Sequence, residues 1–141
     1  MITNERQYAI SRAQAERFRL TLEAPPASDV HPRAAKAMHD GIRSQLEDLE
    51  QEIADYEALR AGNVTMLTAD SLTELPVALV KARIVRNLTQ KDLGERLGLA
   101  EQQIQRYEAT LYKGVALERL QEVADALEIR IHEVITIESN T

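Results

Sequence analysis

The chain has no cysteine, no tryptophan, a single phenylalanine and only five glycines in 141 residues. Without cysteine there is no disulfide framework, no thiolate zinc site and no cysteine nucleophile, and the composition fits a reducing cytoplasm. No glycine-rich phosphate loop is present. The longest apolar run is a handful of residues, far short of the ~20 that span a bilayer, and no secretory leader is visible. One phenylalanine and four tyrosines leave thin cores, which small domains often supplement by associating. His31, His39 and His132 show neither ligand nor base spacing. Glu47, Asp48, Glu50 and Glu52 lie on a helix with a heptad pattern and read as a solvated face. The expectation is a non-enzyme with no catalytic residues, no metal and no cofactor.

Charge is distributed unevenly. The net charge is −6, yet residues 75–113 carry seven basic and four acidic side chains, against eight and thirteen in 1–74 and two and six in 114–141. At a phosphate backbone the local field is the relevant quantity, so the basic island matters more than the total. The acidic flanks predict weak non-specific attraction to polyanions.

The N-terminal half reads as a helical hairpin over 1–60, an interaction or dimerisation unit. Ser11 is a good cap, and Ala15, Phe18 and Leu22 follow at helical spacing over 11–24; Tyr8, Ala9 and Ile10 could form a short extended segment before it. The stretch PPASDVH (25–31) is a stiff connector, and Pro32 suits the first turn of a second helix. From there to about Arg60, Ile42, Leu46, Leu49, Ile53 and Tyr56 recur by four and three, the spacing of a coiled-coil seam or an antiparallel hairpin. Gly41 is a point where this helix could bend. Glu50, Glu52 and Glu57 beside the seam disfavour a parallel homodimer, and Arg12, Arg17 and Arg19 on the preceding helix favour the hairpin. A fourteen-residue helix covers only ~21 Å of a ~40 Å seam. The uncovered end is a candidate surface for a second copy, ahead of a separate protein.

Residues 61–74 form the linker. Ser71-Leu72-Thr73-Glu74 is a capping-box pattern, and Pro76 places a short turn before the main helix near Leu75.

Residues 88–108, LTQKDLGERLGLAEQQIQRYE, read as two short helices joined by a tight turn. Thr89 is an N-cap, Leu93 and Leu97 share a face, Gly98 suits a left-handed C-cap, and Leu99 plugs the corner. Ile104 and Tyr107 form a narrow inward stripe on the second helix. Glu101, Gln102, Gln103, Gln105 and Arg106 remain outward, and Gln and Arg are the side chains that bond base edges bidentately in the major groove.

With Arg83, the Asn87-Leu88-Thr89-Gln90 run, Leu93, Leu97-Gly98-Leu99, Ile104, Glu108, Leu120, Ala124 and Leu127, residues 75–127 resemble the helix-turn-helix domain of the lambda and 434 repressor and Cro family, the XRE-type regulators. The resemblance implies base reading by Glu101, Gln102, Gln103, Gln105 and Arg106, with Gln102 foremost, through its match to adenine. It implies phosphate contacts by Gln90 and Lys113, with Lys91 on the flank. It also implies a buried ion pair between Arg83 and Glu108. Ala100 stands where a Ser or Thr cap is usual, Gly94 where a small Ala is usual, and Glu128 at a frequent Gly position. The tail IRIHEVITI (129–137) reads as a final helical turn or a strand, with the strand favoured.

The expected architecture is all-α: the hairpin, then a helix-turn-helix domain over 75–141 with a short C-terminal strand. The expected function is that of a cytoplasmic, nucleoid-associated regulator, a repressor reading double-stranded DNA as a homodimer. The alternatives are an antitoxin whose N-terminal helices bind a toxin, and an adaptor similar to the multiprotein bridging factors.

Overall fold

The computed structural model describes residues 1–139. It divides into two compact units, Met1–Leu67 with Ile84–Asn87, and Thr68–Arg83 with the chain from Leu88 onward.

Asn4 opens the first helix, α1 (Glu5–Glu23), its extended backbone letting the side chain accept the Gln7 N–H at 2.8 Å. Gln7 reaches back, and its Oε1 accepts from the Thr3 N–H at 2.9 Å. The helix therefore starts six residues before Ser11, and Tyr8, Ala9 and Ile10 are helical rather than extended. The missed signal was Asn4 followed three residues later by Gln7, the spacing of a capping box.

Pro32 is the first residue of α2 (Pro32–Arg60), and His31 Nδ1 accepts from the Arg33 N–H at 3.1 Å. The helix runs unbroken through Gly41. α1 and α2 pack antiparallel: the Tyr8 and Tyr56 rings lie 5.2 Å apart, and Arg19 reaches Glu50 at 3.1 Å. The Arg60 guanidinium lies 4.5 Å from the Tyr8 ring centre and bonds Glu5 at 3.0 Å. Those bonds to Arg60 hold the Glu5 carboxyl below its usual range, against the opposing effect of desolvation.

Of the five seam positions, Leu46, Ile53 and Tyr56 are buried within this hairpin, while Ile42 and Leu49 are half-buried. Intramolecular packing thus claims most of the stripe. The physical reason is length: at 19 residues α1 spans ~28 Å, more than a helix over 11–24 would.

In the second unit, a short 3-10 turn (Leu72–Glu74) precedes α3 (Leu75–Val85). The capping box expected at Ser71 is not made. Glu74 accepts from the Asp70 N–H at 2.6 Å, and the Ser71 hydroxyl pairs with that of Thr73. Next come α4 (Gln90–Leu97), α5 (Glu101–Ala109) and α6 (Leu117–Ala126). Their apolar faces meet in a core containing Leu79, Val80, Leu93, Ile104, Val123 and Leu127, each at most 1 % exposed.

Beyond α6 the chain is irregular, and no strand forms among the described residues. The strand expected over 129–137 has no partner strand among the described residues. A lone strand leaves its N–H and C=O groups without a ladder, so there is nothing to fix it as one.

Candidate nucleic-acid interface

Thr89 and Asp92 form a reciprocal capping box: Thr89 Oγ1 accepts from the Asp92 N–H at 2.9 Å, and Asp92 Oδ2 accepts from the Thr89 N–H at 2.9 Å. The bonds to Thr89 hold the Asp92 carboxyl below its ordinary range. The box satisfies leading donors of α4 and fixes where it begins. At the other end Gly98 is left-handed (φ 69°), and the Leu99 N–H donates to the Gly94 carbonyl at 2.8 Å. The chain then turns directly into α5. A Cβ on Gly94 would lie 2.6 Å from the Leu99 carbonyl oxygen, so the two helices cross more closely than alanine permits.

Ile104 and Glu108 are buried and Tyr107 half-buried, which orients the opposite face of α5 outward. Glu101, Gln102, Gln105 and Arg106 are exposed on that face, and Gln103 is half-buried at its edge. Gln105 Nε2 approaches Glu101 Oε1 at 3.5 Å, at the long limit for a hydrogen bond. Ala100 gives α5 no side-chain cap.

Beneath this face, Arg83 Nε donates to Glu108 Oε2 at 2.6 Å and Arg83 Nη2 to Glu108 Oε1 at 2.8 Å, with both residues 3 % exposed. Arg83 Nη1 donates to the Leu88 carbonyl at 2.8 Å. This fork ties α3 to the end of α5 and to the residue before the α4 cap.

Residues 79–140 match the family model described as the Cro/C1-type HTH DNA-binding domain. The C-terminal part of this chain is a Cro/C1-type helix-turn-helix domain. No match was found among curated proteins or among solved structures. Within the matched residues α4 and α5 follow one another across the turn at Gly98, as the two helices of such a motif do. No helix among the described residues is long and apolar enough to cross a membrane, and none of their acidic and histidine side chains cluster as a metal site.

Within the Cro/C1-type domain, Lys91 and Lys113 are exposed, one at the start of α4 and one in the turn after α5. Gln90 stands differently from the expectation of a phosphate-facing side chain. It is 5 % exposed, and its Nε2 donates to Glu108 Oε1 at 2.9 Å. A buried carboxylate needs more donors than one guanidinium fork supplies, and the Gln90 amide provides one. Its side chain belongs to the core cluster and not to the surface.

Two further residues escaped the sequence reading. Arg96, counted only as part of the basic island, sends Nη1 to the Ala126 carbonyl at 2.7 Å and so closes the C-terminal end of α6. Tyr112 is 3 % exposed, its ring 5.3 Å from that of Tyr107, in a turn where Leu111 (φ 51°) and Tyr112 (φ 56°) are both left-handed. Its hydroxyl has no partner among the described residues, and burial, reinforced by the Glu108 charge, pushes its pKa far up. Nothing in a Leu-Tyr pair announces such a backbone, and a five-residue spacing from Tyr107 is not a helical repeat.

Proposed function

We propose that this chain is a sequence-specific transcription regulator, a repressor, that reads DNA as a dimer. The domain is a DNA-binding one of a regulator family; specificity, dimerisation and repression are the added steps. The observation that supports specificity is the outward stripe of α5. Gln102, Gln105 and Arg106 are exposed on a helix held in place by a capped partner helix and a buried ion pair. An amide offers adenine a donor and an acceptor together, and a guanidinium does the same for the two acceptors of guanine or meets a phosphate. Glu101, at the start of α5, is suited to accept from cytosine. Lys91 and Lys113 supply phosphate contacts that set register without reading sequence. Two domains related by a dyad would present two α5 helices to half-sites ~34 Å apart, and occupancy of such an operator blocks polymerase.

The test is selection of random duplex DNA by the purified chain and by its Gln102→Ala variant at physiological salt. A palindromic motif lost or relaxed in the variant is expected, with a cost of ~1–3 kcal/mol for one bidentate contact. The same sequence preference in both proteins would overturn the assignment of Gln102. No enrichment from a correctly folded parent would overturn sequence reading altogether and favour a protein partner, as in the antitoxin or adaptor readings.

A further inference from the structure

The hairpin leaves one flank of its longer helix without a partner. α2 has 29 residues and α1 has 19, and Glu5 meets Arg60 at the far end. About ten residues at the start of α2, ~15 Å, therefore extend past the end of α1. Along one flank of α2 stand Lys36, Arg43, Glu50 and Glu57, each seven residues from the next and all exposed. A seven-residue step returns to nearly the same side of a helix, so the four form a single line, positive in its first half and negative in its second. Lys36, Arg43 and Glu57 make no ion pair among the described residues. Glu50 holds Arg19 of α1 at 3.1 Å and still has a side chain 45 % exposed. Beside the negative half, between α1 and α2, lies an open groove of about 670 Å³ whose lining includes Ala9, Ala13, Ile53 and Glu57. Of the arginines on its wall, Arg12 lies 5.6 Å from the Tyr8 ring centre and Arg19 is held by Glu50 and Glu16. Leu20, 56 % exposed, continues the α1 side of the groove one turn beyond Glu16.

We propose that α2 pairs antiparallel with α2 of a second copy along this flank, about a dyad between Leu46 and Glu47. The occupant and the register both follow from the order of the charges. With that dyad, Lys36 stands opposite the mate's Glu57 and Arg43 opposite the mate's Glu50, each pair being made twice. A parallel pair in register would set each of the four against its like. Sliding by one heptad moves the dyad onto Arg43 or onto Glu50, and either residue then faces itself. A separate protein would have to bring the same four signs in reverse order, which a second copy of this helix does by symmetry. The basic start of each α2, which α1 does not cover, then lies along the acidic groove of the other hairpin, and the four helices close into a bundle. The dyad completes the contact, because the same flank serves both copies and none is left over. This inference rests on the dimeric reading above and names the surface that makes the dimer.

Lys36 and Glu57 are three heptads apart on one helix, ~31 Å, so neither can offset the other within a chain. In the full-length protein at low ionic strength, Lys36→Glu and Glu57→Lys each turn both copies of that pair from attractive to repulsive. Either should raise the dimer dissociation constant about tenfold in sedimentation, with helix content by circular dichroism equal to the parent's. An equimolar mixture of the two variants should regain the parent's constant as a heterodimer, since each supplies the sign the other lacks. The double variant should regain it as well. A parent that stays monomeric throughout the micromolar range, a dimer indifferent to both reversals, or variants that do not recover on mixing would each overturn the proposal. Selection of random duplex DNA with the parent separates the readings. A palindrome selected by a parent whose dimer ignores the reversals refutes only the helix pairing, whereas a charge-specific dimer that enriches no sequence refutes only the DNA-reading proposal.

Discussion

Glu108→Ala is the substitution that most directly tests how the helix-turn-helix domain is held together. The wild-type carboxylate is 3 % exposed and accepts from Arg83 Nε at 2.6 Å, Arg83 Nη2 at 2.8 Å and Gln90 Nε2 at 2.9 Å. Truncation leaves a guanidinium, also 3 % exposed, without its anion, and removes the acceptor that Glu108 offers to the Gln90 amide. Breaking a buried pair from one side costs about 3–5 kcal/mol, because the remaining charge has lost both water and partner. Small domains have roughly 5–15 kcal/mol in total, so the variant should be near its unfolding threshold. At about 4–8 °C per kcal/mol, the midpoint should fall by on the order of 20 °C. Far-ultraviolet circular dichroism follows the loss of helix, and the near-ultraviolet tyrosine signal, to which Tyr107 and Tyr112 contribute beside Tyr8 and Tyr56, follows the loss of packing. The comparison variant is Arg83→Met with Glu108→Gln, which removes both charges while the new amide oxygen can still accept from Gln90. That pair should recover most of the loss, since a buried ion pair is only weakly favourable over neutral groups of similar volume. A Glu108→Ala midpoint within about 3 °C of the parent would refute the reasoning, and so would a double variant no better than the single one.

Gly94→Ala should destabilise by about 1–3 kcal/mol despite alanine's better helix propensity. The new Cβ meets a backbone oxygen at 2.6 Å, which cannot swing aside; a denaturation midpoint equal to or above the parent's would contradict the close crossing. Glu128→Gly should stabilise by roughly 0.5–1 kcal/mol, because φ 56° at Glu128 is a left-handed conformation that glycine adopts freely; a lower melting temperature would count against strain there. Arg60 depresses the Glu5 pKa below its ordinary 4.5, so the stabilisation is present above that value and is lost as pH falls through the folded one. The hairpin's thermal stability should therefore decline on the acid side of about pH 5, less steeply in Glu5→Gln, and parallel profiles for the two proteins would dismiss the interaction.

What could be read in advance was local chemistry with a fixed backbone requirement. The Thr89 cap and the left-handed Gly98 each follow from one residue type meeting one dihedral demand, so they are visible along the chain, whereas the turn at Glu128 was implied only by the family resemblance. The outward stripe of α5 is visible for a related reason: a helix period leaves few places for Gln102, Gln105 and Arg106 to go. Gln90 was not legible, because its direction depends on how many donors a carboxylate eighteen residues away still needs. The start of α1 was missed through attention to Ser11, when Asn4 had the better pattern with Gln7. The tail was mistaken for a strand because β-propensity describes fit to a pleated neighbour, and no such neighbour lies among the described residues.

The charge pattern bears on why a dimer suits this domain. On the proposed reading, Lys91, Arg106 and Lys113 are the cations nearest the groove, and Glu101 partly offsets them. Three phosphate contacts would give a salt slope of only ~2.7, well below that of repressors making several times as many. A single domain would then hold DNA weakly, and the acidic flanks would lower its dwell on random sequence further. Linking two domains makes the second half-site encounter intramolecular, so base readout is used twice while non-specific affinity stays low. A protein that reads with amides and has few cations gains specificity this way, provided its two α5 helices are held at a fixed separation.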